Sequence, residues 1–222
     1  MALIHAAPEL TGATRLAAES CARIGAGMVT VLSPPKVLDV YRIALPPHIV
    51  VRGDIKWWDD RVNAVLYGPG GMASVPRLRD VPTVIDADGL GRLPKKLHER
   101  CVLTPHEGEF ARAFPEIKGS REERALAAAQ KTGAIIVLKG AETLIAHPDG
   151  RVTINRHASP YLATAGAGDV LAGMITGLCA QGMEPYLAAC AAVWMHGDAA
   201  IKIGPGLVAP DLLYFLKCSS AL

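Results

Sequence analysis

The sequence predicts an α/β protein with a mostly parallel central sheet, and three observations support this prediction. Short apolar runs rich in Val, Ile and Leu recur along the 222 residues, and helical or polar stretches separate most of them. These runs are continuous rather than alternating, which is typical of strands buried on both faces. Regular alternation of such strands with helices favours βαβ units. Because 50% of the residues are hydrophobic and only 5% are aromatic, we expect aliphatic strands and Ala-rich helices.

The individual elements are predicted from local patterns. Apolar positions at helical spacing, followed by glycines, predict a helix over residues 12–25. Pro148-Asp149-Gly150 between two apolar runs predicts an antiparallel hairpin at the far edge of the sheet. We predict strands at residues 2–4, 28–32, 49–51, 62–67, 81–85, 101–103, 134–138, 143–146 and 152–154. We predict further helices at residues 169–180, 186–203 and 211–217.

Composition and charge exclude several classes of protein. The chain has 23 Lys and Arg against 21 Asp and Glu, with no basic cluster, which argues against a nucleic-acid partner. No apolar run reaches the length of a membrane span, so no membrane partner is expected. The five cysteines form no CxxC pair, and no signal peptide is visible, so we expect a reduced, cytoplasmic protein. We expect one domain over residues 1–222, whose first strand looks truncated.

Polar residues and glycines follow four of the predicted strands. They occupy residues 68–71, 86–89, 104–109 and 139–143. In an open parallel sheet, ligands bind beyond the carboxyl ends of the strands. The sequence therefore predicts a ligand site at the carboxyl ends of these strands.

Gly166-Ala167-Gly168-Asp169 at the start of a predicted helix is the strongest local signal. The two glycines allow a close approach of the backbone to a ligand, and the unpaired amides of the first helical turn favour an anion. Asp169 is either a helix cap or a base that takes a proton from a hydroxyl attacking a phosphate. Spacing alone does not choose between these two roles.

The motifs together resemble the ADP/ATP-dependent (S)-NAD(P)H-hydrate dehydratase family of the ribokinase-like superfamily. Gly-x-Gly-Asp is typical of the superfamily, whereas its combination with Asp-Ala-Asp, Thr-Pro-His-x-Gly-Glu and Lys-Gly-x-x-Thr in this order is far more specific. The resemblance covers nearly the whole chain and implies a three-layer αβα sandwich. These four motifs begin at Gly166, Asp86, Thr104 and Lys139, and the turn Gly68-Pro69-Gly70 belongs to the same resemblance.

The resemblance also implies a reaction. Family members restore NADH or NADPH from the hydrated form, NADHX or NADPHX, and consume ADP or ATP, usually with Mg²⁺. A course consistent with a kinase fold transfers the terminal phosphoryl group to the C6 hydroxyl and then eliminates phosphate. The members often form homo-oligomers, tetramers or larger, so an oligomer is expected here.

Site residues follow from the resemblance by motif. Asp169 is similar in position to the family's base, and the amides of Ala167 and Gly168 resemble its anion hole. Contacts to the hydrated dinucleotide are implied for Ala26, Gly70, His106 and Asp169. Contacts to the adenine nucleotide are implied for Lys139, Gly140, Ala141, Glu142, Thr143 and Gly168. Asp86, Asp88 and Glu109 are candidate phosphate or Mg²⁺ contacts, with Glu109 as the candidate metal contact through water.

The chain departs from the family pattern in three places. Glu107 stands where the family usually has Pro, which adds a negative charge near polyanionic ligands. The usual Gly-Ser after the first strand is Ala6-Ala7, and part of that strand looks absent. No N-terminal epimerase domain, present in some family members, precedes it. Away from the motifs, His196 and Asp198 are interpreted as structural residues of an Ala-rich helix, with a nucleotide contact near that helix as the alternative.

Two alternatives to the dehydratase remain open on the sequence. One is a ribokinase-like small-molecule kinase acting on a hydroxymethyl-pyrimidine or a thiazole. The other is a non-catalytic scaffold that binds a nucleotide at a decayed site. The reaction product separates the kinase from the dehydratase, and the effect of Asp169→Asn on turnover identifies a scaffold.

Overall fold

A computed structural model describes residues 1–72, 76–94 and 97–216 of the chain. These residues contain one nine-stranded sheet with the strand order β3-β2-β1-β4-β5-β6-β7-β8-β9. The strands are β1 (Ala2–His5), β2 (Val29–Leu32), β3 (Ile49–Arg52), β4 (Ala64–Tyr67), β5 (Thr83–Ile85), β6 (Cys101–Leu103), β7 (Ile135–Leu138), β8 (Thr143–Ala146) and β9 (Val152–Asn155). Each predicted apolar run is thus a strand of this sheet.

Strands β1 to β7 are parallel, and the last two are antiparallel. Strand β8 pairs with β7 through Val137 opposite Ile145, and with β9 through Leu144 opposite Ile154. The predicted edge hairpin is therefore confirmed. Strand β1 pairs with both β2 and β4, with Ala2 opposite Val29 and Ala64, and it has four residues, as β2 and β4 do.

Helices cover both faces of the sheet. They are α1 (Thr11–Arg23), α2 (Leu38–Ala44), α3 (Glu107–Ala113), α4 (Arg121–Thr132), α5 (Ala167–Ala180), α6 (Pro185–Ile203) and α7 (Ala209–Leu216). The predicted helices at residues 12–25, 169–180 and 186–203 are confirmed. The helix predicted at residues 211–217 is confirmed up to residue 216. Lys217 lies outside the described residues.

Neighbouring side chains of a central strand enter different hydrophobic clusters, as the two-residue period of a strand requires. Val84 packs in the cluster that contains α1, α5 and α6, whereas its neighbour Ile85 packs in the cluster that contains α3 and α4. The fold is a three-layer αβα sandwich, as the resemblance implied. None of the helices in the described ranges has the length and apolar character that crossing a bilayer requires.

Candidate active site

The glycine turn after β4 brings the backbone of two other segments into close contact. A Cβ atom on Gly68, whose φ is +111°, would lie 1.8 Å from the carbonyl oxygen of Asp86. A Cβ on Gly70, at φ +78°, would lie 2.3 Å from the carbonyl oxygen of Leu10. Both positions require glycine because an L side chain would collide with backbone that cannot move independently. The turn therefore lies between the loop after β5 and the residues that lead into α1.

The first turn of α5 contains the residues that the sequence proposes for an anion site. Gly166 is the N-cap in the left-handed conformation, with φ +89°, and Ala167, Gly168 and Asp169 are the first three helical residues. The amide of Ala167 donates to the carbonyl of Thr164 at 3.3 Å. The amides of Gly168 and Asp169 have no carbonyl four residues earlier within the helix, and they face the end that carries the positive helix dipole. These two amides are the donors best placed for a phosphoryl group.

A buried ion pair joins the ends of β5 and β7. The ammonium of Lys139 donates to Oδ1 of Asp86 at 2.9 Å, and Thr104 Oγ1 donates to the same oxygen at 2.7 Å. The Asp86 side chain is 3% exposed and that of Lys139 is 18% exposed. Glu109 Oε2 lies 3.8 Å from Lys139 Nζ. Burial alone would lower the pKa of Lys139, but the charges of Asp86 and Glu109 raise it above its ordinary value.

Asp169 has an unusual protonation equilibrium at this site. Burial raises the pKa of its carboxyl to about 7, and the negative charges of Asp86 and Glu109 act in the same direction. The ammonium of Lys139 opposes them by favouring the carboxylate. A carboxyl with a pKa near neutrality can take and return a proton, which suits a general base. A role of Asp169 as a helix cap alone would not require its carboxyl to be buried beside charged groups.

His106 is the N-cap of α3 and forms a capping box with Glu109. Its Nδ1 accepts from the amides of Gly108 and Glu109, at 3.0 and 3.3 Å, and Glu109 Oε2 accepts from the His106 amide at 2.8 Å. The imidazole is 53% exposed and lines a cavity beside α5. His106 is thus a helix cap at the wall of this cavity, and its Nε2 lies 3.5 Å from Glu109 Oε1.

Glu107 does not add an unpaired negative charge to the site. Arg121 Nε donates to one carboxylate oxygen at 2.6 Å, and Arg124 donates to the other at 3.0 Å. Burial alone would raise the pKa of Glu107, but these two arginines hold it below its ordinary value. The expected repulsion toward polyanionic ligands is therefore offset by ion pairs to α4.

A cavity of about 730 Å³ opens between the N-terminus of α5, the β7–β8 loop and α6. Of the predicted nucleotide residues, Lys139, Gly140, Ala141, Thr143 and Gly168 line it. Glu142 does not line it; its carboxylate accepts from Arg156 at 2.9 Å instead. A volume of this size holds a nucleotide-sized ligand. Another cavity, of about 740 Å³, is lined by residues that include Asn63, Arg100 and His147 and by none of the predicted site residues.

Besides Glu142, the predicted residues Ala26 and Asp88 are not brought to this group. Ala26 lies just before β2 begins, at the amino end of a parallel strand, whereas the site lies beyond the carboxyl ends. The 13-residue helix α1, about 20 Å long, leads from one edge of the sheet to the other. It is Ala13, at the start of α1, that lies near Gly70. Asp88 is exposed and its carboxylate faces Gly71 rather than Lys139.

Sequence reasoning missed three residues that the structure places at the site. Thr104 supports Asp86. Arg121 donates to the carbonyls of Leu138, Lys139 and Glu142, and so holds the β7–β8 loop against α4. His196 lines the cavity from α6, and burial lowers its pKa to about 4, so the ring is neutral. Thr104 had a signal, since it is the first residue after a strand. A nucleotide contact near the helix of His196 was an open alternative on the sequence, whereas Arg121 had no signal.

The donor set fits Mg²⁺ only in company with a nucleotide. Among the described residues, no group of three or more His, Cys, Asp or Glu side chains is arranged to hold a metal ion. Asp86 and Glu109 are both near the ammonium of Lys139. Mg²⁺ commonly uses one or two carboxylates and completes its octahedron with water and substrate phosphates. The site therefore fits an ion held mainly by phosphate oxygens, with Glu109 as the candidate protein contact.

Comparison with known proteins identifies the family of the chain. The family model for NAD(P)H-hydrate dehydratase matches residues 1–206. An ADP-dependent (S)-NAD(P)H-hydrate dehydratase of Neisseria meningitidis is 36% identical over 94% of this chain and 79% of its own length. A bifunctional NAD(P)H-hydrate repair enzyme of Moorella thermoacetica is 36% identical over 96% of this chain and 47% of its own. The chain thus spans about half the length of such bifunctional relatives.

Solved structures show the same architecture. A Bacillus subtilis ADP/ATP-dependent NAD(P)H-hydrate dehydratase, co-crystallised with ATP/Mg²⁺ and soaked with CoA, superposes with a TM-score of 0.82 at 28% identity, covering 97% of this chain and 88% of that one. A Cryptococcus neoformans ribokinase in complex with ADP reaches 0.65 at 14% identity, covering 98% of both chains, which shows the fold alone. With this fold, these motifs and the family match over residues 1–206, the chain belongs to the NAD(P)H-hydrate dehydratase family.

Proposed function

We propose that the protein dehydrates the S form of hydrated NADH or NADPH back to NAD(P)H and consumes ADP, which yields AMP and phosphate. The observation that supports this most directly is the position of Asp169. Its carboxyl lies in the first turn of α5, beside two amides that suit a phosphoryl group, and its pKa is raised to about 7. A base next to an anion site is the arrangement that phosphoryl transfer to a hydroxyl requires.

The chemistry proceeds in two steps. The C6 hydroxyl oxygen attacks the β-phosphorus of ADP while Asp169 takes the hydroxyl proton. The bond from that phosphorus to the bridging oxygen breaks, and AMP leaves. In the second step the ring nitrogen's electron pair assists departure of phosphate from C6. The departing phosphate takes up the proton lost from C5, and the C5–C6 double bond of NAD(P)H forms. The amides of Gly168 and Asp169 stabilise the charge on the transferring group.

Ligand positions follow from the cavity and the glycine turn. We place the adenine nucleotide in the 730 Å³ cavity beside Lys139, Gly140, Ala141 and Thr143. The hydrated nicotinamide lies toward the turn that contains Gly70 and toward His106, which borders the same cavity. Ala26 takes no part in this arrangement. Mg²⁺, where bound with the nucleotide, would neutralise phosphate charge near Glu109.

The cellular setting is part of the same proposal. We propose a single ribokinase-like domain over residues 1–222 that acts in the cytoplasm as a homo-oligomer. NADHX or NADPHX and ADP are its small-molecule partners. The fold and the family support this proposal. So does the state of Cys21, Cys101 and Cys179, which are buried free thiols.

The deciding experiment is a spectrophotometric assay. Hydrated NADH and NADPH are incubated with ADP or ATP, with and without Mg²⁺, and absorbance in the reduced-nicotinamide band is followed. We expect absorbance to rise with stoichiometric AMP and phosphate. Phosphorylation of a hydroxymethyl-pyrimidine or thiazole without any rise would support the kinase instead. If the protein binds the nucleotide but shows no turnover that Asp169→Asn lowers, the result would support the scaffold.

A further inference from the structure

The ammonium of Lys139 lies against the first turn of α5. A Cβ atom on Gly168 would be 3.2 Å from Lys139 Nζ. The side chain of Lys139 also lines the 730 Å³ cavity, and its charge interacts with the carboxyl of Asp169. A positive charge therefore stands beside the amides that we assign to the transferring phosphoryl group.

Asp86 holds this ammonium in place. Asp86, Thr104 and Lys139 are the first residues after β5, β6 and β7, which are neighbours in the sheet. One oxygen of Asp86 accepts from both other side chains, at 2.7 Å from Thr104 Oγ1 and 2.9 Å from Lys139 Nζ. The Thr104 amide also donates to the carbonyl of Ile85. The carboxylate is thus fixed on rigid strand ends and directs a long, flexible side chain.

The charge balance explains why the ammonium must be held there. Asp86, Glu109 and Asp169 all act electrostatically on Lys139, which is the cation that they share. Phosphoryl transfer brings further negative charge into this group of carboxylates. A fixed cation in a water-poor site stabilises such charge without reorganising during the reaction. A purely stabilising ion pair would gain little, because desolvation offsets most of the attraction.

We propose that Lys139 is a catalytic residue that contacts the phosphoryl group in transfer, and that Asp86 and Thr104 are positioning residues that act through it. This inference rests on the proposed function. It assigns Lys139 to the terminal phosphoryl group of the nucleotide rather than to its base. It also assigns Asp86 to Lys139 rather than to a phosphate or a metal ion.

A double-mutant cycle tests the assignment. We expect Lys139→Met to lower kcat about 100-fold or more while KM for ADP rises less than about tenfold, as loss of a transition-state contact does. Asp86→Asn should lower kcat by about tenfold or more. If Asp86 acts through Lys139, the double variant is no slower than Lys139→Met alone. Losses that multiply in the double variant would show that Asp86 acts independently, and would overturn the positioning role.

Further variants separate positioning from folding. Thr104→Val should lower kcat by a few fold, and Thr104→Ser should restore it because the hydroxyl returns. Methylamine should restore part of the activity of Lys139→Ala and none of that of Asp86→Asn. Lys131→Met and Asp149→Asn, at exposed ion pairs remote from the site, should leave kcat unchanged. Circular dichroism and Tm verify that each variant is folded.

Nucleotide affinity provides a readout that does not depend on turnover. ADP and AMP differ in the β-phosphoryl group, so Lys139→Met should weaken ADP binding about threefold to tenfold and leave AMP binding unchanged in calorimetric titrations. Equal weakening of both nucleotides, or of neither, would overturn the assignment of Lys139. An inactive wild type would refute the proposed function instead, and the titrations would still decide the role of Lys139.

Discussion

Asp169 combines burial with three charged neighbours, and this combination determines how the protein should respond to pH. Its carboxyl pKa is raised to about 7, first by burial and then by the charge of Asp86, while Lys139 opposes the shift. The protonated form is therefore populated in the lower part of the physiological range. A base in that form cannot accept the proton of a hydroxyl.

The activity of the wild type should fall on the acid side of neutrality. We expect kcat/KM to decrease about tenfold per pH unit below pH 7, because Asp169 must be ionised to act. Asp169→Asn should lower kcat at least about 1,000-fold at all pH values and leave no such dependence. The measurement is the initial rate of NAD(P)H formation from pH 5 to 9. A rate independent of pH between 5 and 7 would contradict this role.

The same carboxyl should reduce stability above neutral pH. Its folded pKa lies above the ordinary value of 3.8, so the folded protein binds the proton more tightly, and that stability is lost as pH rises through about 7. Asp169→Asn should therefore raise the free energy of unfolding at pH 8 by roughly 1–2 kcal/mol, a value already reduced because the carboxyl is partly exposed. At pH 4 the same replacement should raise it by little.

Thermal unfolding of both proteins at the two pH values measures this effect. Asp149→Asn is the matched control, because hydrogen bonds from the Arg151 backbone and side chain lower the Asp149 pKa to about 2. That replacement should give no stabilisation at pH 8. An equal Tm change of Asp169→Asn at pH 4 and pH 8 would show that the effect is not electrostatic.

At the scale of elements, the position of the anion site depends on how closely α5 packs on α1. A Cβ on Gly173 would lie 2.2 Å from the Ala17 carbonyl oxygen and 2.1 Å from Ser20 Oγ. Ser20 also donates to the carbonyls of Ala17 and Val170, so it is not free to move away. Small residues on α5 thus allow the two helix backbones to meet.

Gly173→Ala should destabilise the protein by about 1–3 kcal/mol, since the added methyl group forces the two helices apart. Gly12→Ala in α1 is the control, because a Cβ there meets nothing within 4 Å and should change the free energy of unfolding by less than about 0.5 kcal/mol. Urea unfolding followed by circular dichroism measures both. Equal stability of the two variants would contradict the close packing.

The β7–β8 loop depends on a single arginine of α4. Arg121 donates to the Glu142 carbonyl at 2.7 Å and to the Leu138 and Lys139 carbonyls at 3.4 Å each. A Cβ on Gly140 would be 2.4 Å from the same guanidinium. Arg121 therefore fixes the β7–β8 loop, which lines the 730 Å³ cavity, from the side of α4.

Loosening this loop should weaken nucleotide binding. We expect Arg121→Met to raise KM for ADP about fivefold to twentyfold with a smaller change in kcat, because ordering the loop must then occur on binding. Arg42→Met, which removes an exposed ion pair on α2, should change neither constant. Initial rates against ADP concentration give the answer. A fall in kcat alone would place Arg121 in the chemistry rather than in support of the loop.

At the scale of the whole molecule, the 730 Å³ cavity that we propose for the nucleotide is lined by segments that are distant in sequence. It joins the ends of β7 and β9 with the first turn of α5 and the middle of α6. A bound nucleotide should therefore stabilise the folded protein as a unit. ADP at 100 times its Kd should add about 2.7 kcal/mol and raise Tm by roughly 5–10 °C.

Differential scanning fluorimetry with increasing ADP tests this linkage. Asp169→Asn should show a similar rise, since the base contributes to turnover rather than to nucleotide binding. Inorganic phosphate at the same concentration should give a much smaller rise, because it does not fill the cavity. A Tm independent of ADP would contradict the assignment of the cavity to the nucleotide.

Much of this protein is determined by local sequence pattern alone. The strands, the main helices and the edge hairpin follow from apolar periodicity and turn residues, which act over a few neighbouring positions. The Gly-Ala-Gly-Asp motif likewise locates Asp169 at a helix start, since glycine freedom and unpaired amides are local properties. The ordered motifs further identify the family.

Only the tertiary structure decided which side chains meet. Asp86 and Lys139 are 53 residues apart and pair because β5 and β7 end at one edge, bridged by Thr104 between them. Glu107 is neutralised by two arginines of another helix, and Ala26 is removed to the opposite edge by the length of α1. Strand order and helix packing set these distances. They arise from burial summed over the whole sheet, which no local pattern specifies.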